Sequence, residues 1–492
     1  MQKLNAALAP SAARPIRVVQ FGEGNFLRAF VDYMIDIANE KTDFNGSIVL
    51  VKPISIGQLF PAFAEQDNRY TVILRGLVGG EPVEQSRVIT SVHSSIDAYA
   101  SYDAYAALAK VDTLRFVVSN TTEAGIVLDP EDDMQLCPPK TFPGKLTKFL
   151  YERAEYFDYA PDKGLVMLPV ELIDDNGIAL HRCVTELARI WKLGDRFLDW
   201  LENACVFTST LVDRIVTGYP RGEDEKIWEK LGYEDHLLDT AEPFGLWVIE
   251  SQKDISRELP LPDCGLPVIF TDNQKPYKQR KVRILNGAHT SFVPMAFQFG
   301  KDTVLESMNE PVIRQFMEKT IYDEVIPTLT LPKEDLMNFA REVTGRFANP
   351  FIRHLLLSIC LNCVSKWRAR CMPSFLESIR QNGTLPEHLA FSMASMISLY
   401  RGGKLEEDGK LHCERAGEAY VLQDDASVLT FFDANRDTET DALVNAFLSN
   451  TEFFGQDLTQ VDGFAAYVVE ALNEIAEKGM KATVLRRFPL DA

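Results

Sequence analysis

The first half of the chain alternates short apolar runs with amphipathic stretches. Ile16–Phe21 and Ser47–Val51 are apolar runs of the length typical of buried strands. Between them, apolar side chains recur at the spacing of a helix that buries one face: Phe26, Phe30, Met34 and Ile37. Further strands are expected at Tyr70–Leu74, Val88–Val92, Phe116–Ser119 and Gly164–Val170. This alternation predicts a mainly parallel, doubly wound sheet with helices on both faces.

The pattern changes near Gln274–Pro276, and beyond it the apolar spacing is mostly helical. We therefore expect an α/β protein with a Rossmann-type sheet domain over 1–275 and a mainly α-helical domain over 276–492. The acidic, glycine-containing stretch 404–416 is expected to form a surface loop. Helices are expected over 281–299, 303–322, 335–345, 350–371, 387–400 and 442–450, with another near 462–478.

Charge and composition narrow the classes of partner. The chain carries 51 Lys and Arg against 71 Asp and Glu, a net charge of −20, which argues against binding nucleic acid or an anionic membrane. Any anionic substrate would need a locally basic pocket. The 8 cysteines are too sparse for a disulfide scaffold, and Cys360 and Cys363 are interpreted as buried thiols rather than metal ligands. No apolar run of membrane-spanning length and no targeting segment is evident, so a cytoplasmic protein is expected.

The glycines that follow the first strand point to a dinucleotide. Gly22 and Gly24 stand between a strand and an amphipathic helix, where one glycine makes the tight turn and the other admits a pyrophosphate to the helix N-terminus. Leu27 occupies the place of the usual third glycine. Lys52 ends the second strand, so NADP(H) stays open beside NAD(H). The candidate cofactor-binding residues are Phe21, Gly22, Gly24, Asn25 and Phe26, with Asn120 and Thr121 at the end of a later strand.

Three polar residues open the helical half and suit alcohol–ketone chemistry. Lys281 in a cleft would be a general acid or base, and an Asn286 N–H would stabilise a developing alkoxide. A neutral His289 would exchange a hydrogen bond with a substrate hydroxyl. On an ideal helix of about 100° per residue, all three can face one cleft. A basic helix start with a capping Asn and a buried His explains the same spacing, and the residues alone leave both interpretations open.

The same residues carry a family resemblance. Lys281-x4-Asn286-x2-His289 is similar to the signature of the long-chain mannitol dehydrogenase family, and the loop from Gly22 to Ala29 resembles that family's G-x-G-x-F-x-R-A fingerprint. The resemblance spans about 16–480. It implies a metal-independent dehydrogenase that uses NAD(H), with Lys281 as catalytic residue, Asn286 at the oxyanion and His289 on the substrate. Further landmarks occur in the expected order: Leu211–Ile215, Trp247–Glu250 and Arg346–Pro350.

One departure from the family pattern suggests the kind of substrate. Glu171 stands where polyol-oxidising members have an oxyanion-binding Asn, and the surrounding segment resembles a branch that reduces hexuronates. Glu171 would bind a substrate hydroxyl, tune Lys281 or be protonated if buried. A hexuronate is a small sugar acid, so its carboxylate calls for a cation in the pocket. The candidates are Lys278, Arg353, Lys366 and Arg368.

Several alternatives stay open. Other branches of the family act on a second hexuronate, on mannitol or on mannitol 1-phosphate. A nicotinamide-binding sensor without activity belongs to a different class, as does a metal-dependent alcohol dehydrogenase, although His93, His181 and His236 lack ligand-like spacing. The expected partner is the sugar-acid substrate alone, with no nucleic acid, membrane or metal, and with the chain as a monomer or weak homo-oligomer.

Overall fold

Most of the described strands lie in the first of two compact units, Met1–Gln274 and Lys275–Ala492. The computed structural model describes residues 1–55 and 60–491, without the side chain of Phe60. The strands of the first unit are β1 (Ile16–Phe21), β2 (Ser47–Val51), β3 (Tyr70–Val78), β4 (Glu81–Ile89), β5 (Val92–Ile96), β6 (Phe116–Ser119), β7 (Val166–Pro169), β8 (Val206–Phe207), β9 (Ser209–Asp213), β10 (Val216–Gly218), β11 (Asp239–Ala241), β12 (Leu246–Glu250) and β13 (Val268–Thr271).

The main sheet is parallel, and the order in which the chain adds its strands reverses at β1. Within the described residues its strand order is β5–β2–β1–β6–β7–β8, and each neighbouring pair is parallel. The chain winds from β1 to β2 and β5 on one side, then crosses to β6 on the other. In such sheets, ligands bind outside the carboxyl ends of the strands at this switch point. The arrangement confirms the predicted fold class.

Each central strand contributes to two separate cores. In β1, Val18 packs into one apolar cluster while Val19 and Phe21 pack into the other, and in β2 the side chains of Ile48 and Val49 divide in the same way. Successive side chains of a strand point to opposite faces, so a strand covered on both faces must be apolar throughout. This requirement explains the continuous apolar runs of the sequence.

Two smaller sheets flank this core, in the orders β10–β11–β3–β4 and β13–β12–β9. The β3–β4 hairpin turns at Gly79 and Gly80, both with positive φ. The predicted strand Val88–Val92 was wrong in extent. β4 ends at Ile89 on the hairpin, and β5 begins at Val92 on the parallel sheet, so two strands of different sheets meet there.

Helices connect these strands. The π-helical turn Arg28–Asp32 joins α1 to α2, so the chain is helical from Asn25 to Lys41. Short 3-10 turns lie at Leu108–Lys110, Pro161–Lys163 and Pro262–Cys264. The α-helices of the first unit are α1 (Asn25–Leu27), α2 (Tyr33–Lys41), α3 (Phe60–Glu65), α4 (Tyr102–Ala107), α5 (Phe142–Tyr156), α6 (Asn176–Ile190), α7 (Asp195–Asn203) and α8 (Asp224–Leu231).

The second unit is mainly helical. Its helices are α9 (Lys275–Arg280), α10 (Gly287–Phe299), α11 (Val304–Met308), α12 (Pro311–Lys319), α13 (Lys333–Phe347), α14 (Leu356–Ile359), α15 (Cys363–Arg370), α16 (Met372–Asn382), α17 (Glu387–Tyr400), α18 (Ala426–Ala434), α19 (Thr440–Leu448), α20 (Thr451–Phe454), α21 (Phe464–Lys478) and α22 (Met480–Arg487). Between them lie π-helical turns at Lys281–Asn286 and Thr320–Val325, and 3-10 turns at Ile326–Thr328 and Leu458–Gln460. α10 and α17 are apolar nearly all round and pack together as the central pair.

Three expectations for this unit were wrong. The single helix expected over 303–322 is divided into α11 and α12, because α11 ends at Met308 and Pro311 begins α12. The single helix expected over 350–371 is two short helices, because Asn362 adopts a left-handed conformation (φ 54°) and begins α15 afresh. The surface loop expected over 404–416 is largely a small sheet of β14 (Lys404–Leu405), β15 (Leu411–Arg415) and β16 (Glu418–Leu422). Leu411 and Cys413 are buried on one face of β15, an alternation that the surrounding charges obscure.

In the part of the chain that the structure describes, no helix combines the length and the apolar character that a membrane crossing requires.

A buried polar network supports the loop that follows β1. The Arg28 side chain, 2% exposed, donates to the Leu237 carbonyl (2.5 Å), and its Nη2 lies 3.7 Å from Asp239 Oδ2. Nearby, Tyr70 donates its hydroxyl to Asp32 (2.6 Å). Burial raises the pKa of Asp32 and of Asp239 to about 7, against the pull of their hydrogen bonds and of Arg28.

These raised pKa values predict a stability that falls as pH rises. A carboxyl with a higher pKa in the folded than in the unfolded protein favours folding at low pH, and that contribution is lost from about pH 4 towards pH 7. Asp32→Asn should therefore lose less unfolding free energy than wild type between about pH 5 and about pH 8. Urea unfolding at both pH values measures this difference. Asp199→Asn, an exposed acid, is the control, and an Asp32→Asn protein with the full wild-type loss would contradict the prediction.

Candidate active site

The loop after β1 forms a cradle for a phosphate group. Gly22 has φ +126°, its N–H donates to the Val51 carbonyl (3.0 Å), and a Cβ there would lie 2.9 Å from Leu27 Cδ1. Only glycine suits this position, and Leu27 fills the space behind it. A Cβ on Gly24 would meet nothing within 4 Å, so the backbone that begins α1 is open to approach. This geometry fits the pyrophosphate of a dinucleotide.

The predicted cofactor residues gather at this edge of the sheet. The Asn120 N–H donates to the Phe21 carbonyl (3.1 Å), which places Asn120 and Thr121 beside the loop at the switch point. The Phe21 side chain lies in the core against Tyr105 and Phe142, so Phe21 offers a ligand only its backbone. Asn25 accepts a hydrogen bond from Arg28 (2.7 Å), and Phe26 stacks on Phe30.

Glu171 holds the end of β6 in place. Its carboxyl is 2% exposed and receives hydrogen bonds from the Thr121 N–H (2.9 Å), the Thr121 hydroxyl (2.9 Å) and the Ser119 hydroxyl (3.1 Å). Burial raises its pKa above the usual value, although these donors lower it. Both oxygens are thus engaged by the segment that contains Asn120.

Asn176 supports Glu171 and was not singled out from the sequence. Its fully buried amide donates to the Pro169, Glu171 and Thr210 carbonyls at 3.0–3.1 Å, and its oxygen accepts from the Thr210 N–H (2.8 Å). One side chain thereby ties the end of β7 to β9. The Asn-Gly pair at the start of α6 could have identified Asn176 from the sequence. A Cβ on Gly177 would clash with the Thr208 carbonyl oxygen, so only glycine allows Asn176 to approach the backbone of β9.

In the second unit, Lys281 and Asn286 begin and end a π-helical turn. The helix predicted over 281–299 is present, but it begins earlier, with α9 at Lys275, and its residues from Lys281 to Asn286 are π-helical rather than α-helical. Hydrogen bonds between residues i and i+5 bring Asn286 back towards the side of Lys281, whereas an α-helix would turn it about 140° away. His289, three residues further on, lies on the same side as Asn286. Such turns are frequent at functional sites.

His289 is a buried imidazole with unused bonding capacity. It stacks on Phe347 (4.1 Å between ring centroids) and meets His354 edge-on (5.3 Å). Burial, and then the charges of His354 and nearby cations, lower its pKa well below the usual value, so the ring is neutral at pH 7. Among the described residues, its Nε2 has no hydrogen-bond partner. A buried polar atom of this kind is expected to meet a ligand group.

A cluster of cations surrounds His289. Lys366 and Arg370 lie four residues apart on the same face of α15, and the pKa of each is lowered first by burial. Arg370 donates to the Thr290 hydroxyl (3.4 Å), beside His289 on α10. Arg346 is buried at the end of α13, and its charge helps to lower the pKa of His289. Two acids interact with these cations: the charge of Arg346 lowers the pKa of Glu342, and the charge of Asp424 raises the pKa of Lys366.

The structure separates the predicted carboxylate-binding candidates. Lys366 belongs to the cation cluster, and Lys278 is half-buried one turn before Lys281. Arg353 is exposed, and Arg368 lies on the outer face of α15, where it donates to the Glu452 carbonyl (3.3 Å). Arg370 was not among the candidates. The sequence could have identified Arg370 by its four-residue spacing from Lys366, which places both cations on one face of a helix.

Within the described ranges 1–55 and 60–491, no group of three or more His, Cys, Asp or Glu side chains is arranged to hold a metal.

Comparisons with known proteins agree with the two-part organisation. The Mannitol dehydrogenase Rossmann domain matches residues 16–262, and the Mannitol dehydrogenase C-terminal domain matches 273–476. The chain is 48% identical to the altronate oxidoreductases of Escherichia coli and Shigella flexneri, over 98% of this chain and 99% of each relative.

Two solved structures share the fold. A substrate-free D-sorbitol dehydrogenase has a TM-score of 0.79 at 20% identity, covering 98% of this chain and 100% of its own. Pseudomonas fluorescens mannitol 2-dehydrogenase, in a ternary complex with NAD and D-mannitol, has a TM-score of 0.65 at 21% identity, covering 99% of both chains.

The fold and the matched domains define an NAD-dependent oxidoreductase that acts on CH–OH groups. Within that class, the chain belongs to the mannitol dehydrogenase family.

The Glu171 geometry predicts which substitutions are tolerated. A glutamine in place of Glu171 keeps an oxygen that can accept from the Thr121 N–H and hydroxyl, and its amide N–H can donate to the Ser119 hydroxyl oxygen. Glu171→Gln should therefore keep wild-type NADH affinity and unfolding free energy. Glu171→Ala should lose about 1–3 kcal/mol of stability, because it leaves buried donors unpaired. Urea unfolding and NADH titration measure both quantities. A glutamine variant as damaged as the alanine variant would show that a charged carboxylate is required.

Proposed function

We propose that this protein reduces the C3 ketone of tagaturonate to altronate with NADH, and catalyses the reverse oxidation. The observation that carries the choice of a sugar acid is the cation cluster of Arg346, Lys366 and Arg370 beside His289. In a chain of net charge −20, three cations close enough to His289 to lower its pKa make a locally basic region that suits an anionic ligand. The relatives named altronate oxidoreductase support the same choice.

The proposed binding mode uses each group according to its chemistry. The substrate carboxylate pairs with Arg370 and Lys366, which present their charges from one face of α15. A substrate hydroxyl takes the hydrogen bond that His289 Nε2 lacks within the described residues. The depressed pKa of His289 keeps the ring neutral, so it adds no competing charge at the hydroxyl.

Proton transfer is assigned to Lys281. NADH, when bound at the loop of Gly22 and Gly24, supplies the hydride for the carbonyl carbon. Lys281 gives a proton to the carbonyl oxygen, while the Asn286 N–H stabilises the negative charge that develops there. The ketone becomes a secondary alcohol, and Lys281 recovers its proton from water. In the oxidation the same lysine acts as base. A metal has no part in this proposed sequence.

A panel of ketones tests the proposal. NADH oxidation is followed with tagaturonate, fructuronate, fructose and fructose 6-phosphate, each with and without EDTA. We expect rapid, EDTA-resistant turnover of tagaturonate, and loss of turnover in Lys281→Met with NADH affinity retained. Preferred turnover of another ketone would contradict the substrate, EDTA inhibition would contradict the metal-free mechanism, and an active Lys281→Met would contradict the role of the lysine.

One rival substrate has a specific observation in its favour. The cations that suit a carboxylate also suit a phosphate, as in mannitol-1-phosphate dehydrogenation. Preferred turnover of fructose 6-phosphate in the same panel would favour that rival. Turnover of none of the four ketones would favour a nicotinamide-binding sensor.

The cation cluster predicts a selective loss of substrate affinity. Arg370→Met should raise the KM for tagaturonate by about tenfold or more, because a hydrogen bond to a charged group contributes about 1.5–3 kcal/mol. Arg368→Met is the matched control, since it removes the same charge from the opposite face of α15. Steady-state kinetics and NADH titration separate the effects. Equal KM changes in both variants, or none in Arg370→Met, would remove Arg370 from the carboxylate site.

A further inference from the structure

The ends of β2 and β5 place a lysine and an aspartate side by side. Val51 and Ile96 are partners in the parallel register, and the Lys52 N–H donates to the Ile96 carbonyl (3.1 Å). The next residue of each strand therefore lies at the same edge of the sheet. There Lys52 Nζ and Asp97 Oδ2 form an ion pair of 3.1 Å. Lys52 is only 6% exposed, so its charge is largely removed from water.

This edge is where a dinucleotide-binding sheet distinguishes its two nicotinamide cofactors. In Rossmann-type domains an acid near the end of the second strand bonds the ribose 2′-hydroxyl of NAD, and a cation there accommodates the 2′-phosphate of NADP. Lys52 by itself would favour NADP. The acid is present, but on β5 rather than β2, and it neutralises the lysine.

Asp97 is fixed in its position and charge. Its Oδ1 accepts from the N–H groups of Tyr99 (2.9 Å) and Ala100 (3.3 Å), while Oδ2 accepts from Lys52. Burial alone would raise the pKa of Asp97, but these donors outweigh it and hold the pKa below its usual value. Glu23 lies between Gly22 and Gly24. It is close enough to this pair for the charge of Lys52 to lower the pKa of its carboxyl and for the charge of Asp97 to raise it. A 2′-phosphate at this edge would therefore meet carboxylates.

We infer that Asp97 selects NAD(H) over NADP(H), by pairing with Lys52 and by presenting a carboxylate where a 2′-phosphate would have to bind. The inference concerns the cofactor half of the protein and is independent of the choice of sugar acid. It also explains how a lysine at the end of β2 is compatible with an NAD-dependent enzyme.

Direct binding tests the inference without any sugar substrate. Dissociation constants of NADH and NADPH are measured by fluorescence titration of the full-length protein. In Asp97→Asn, the amide oxygen still accepts from Tyr99 and Ala100, but Lys52 loses its ion pair with Asp97. We expect relative affinity to move towards NADPH by about tenfold, equivalent to about 1.4 kcal/mol. Adding Lys52→Met should remove that gain, because the phosphate then loses its cation.

Controls separate this role from general effects of charge and folding. Asp103→Asn changes the net charge equally at an exposed acid and should keep the wild-type affinity ratio. An unchanged ratio in folded Asp97→Asn, or an equal shift in Asp103→Asn, would overturn the inference. If Asp97→Asn does not fold, Asp97→Ser is judged by the same criteria. These constants do not depend on tagaturonate turnover, so the failure of one proposal is distinguishable from the failure of the other.

Discussion

The parallel register of β1 with its neighbours is the constraint on which the cofactor half of the protein depends. Because the strands run the same way, their carboxyl ends emerge at one edge, and backbone hydrogen bonds fix how far each extends. Gly22, Lys52, Asp97 and Asn120 each follow directly after the end of a strand. Shifting one strand by a single residue would reverse its side chains between the two cores and would also displace the residue that it presents to the ligand edge.

A second theme is the contrast between buried polar groups that are paired and those that are not. Glu171 and Asn176 direct their hydrogen bonds at strand ends, which makes that edge rigid. His289 Nε2 lacks a partner among the described residues, although it is buried. Leaving such an atom unpaired costs free energy that a ligand can recover. Buried groups that are paired within the protein therefore support the structure of a site, whereas a buried group with an unpaired atom is a candidate for contact with the ligand.

Local charge differs from overall charge in the helical half. The chain is strongly acidic, yet Arg370 lies close enough to Lys366 for its charge to lower the pKa of that lysine. Half-burial strengthens this repulsion, and binding an anion relieves it. A net acidic chain and a locally basic cluster are therefore compatible, and the proposed function assigns only the cluster to the substrate.

The sequence by itself determined the fold class and the family, because both follow from local signals. Apolar runs and helical spacing record which residues are buried, and the G-x-G-x-F-x-R-A and K-x4-N-x2-H patterns lie within short segments. Where local charges hide burial, as in β15, the same reasoning failed. It also missed the break before α15, which depends on one left-handed residue at Asn362.

Only the tertiary structure decided which distant residues meet. The pairing of Lys52 with Asp97 depends on β5 lying beside β2, and the choice of Arg370 over Arg368 depends on which face of α15 turns towards α10. The π-helical turn at Lys281 is likewise not marked in the apolar periodicity of the sequence. These features arise from contacts between residues far apart in sequence, whose free energies no short window of the chain contains.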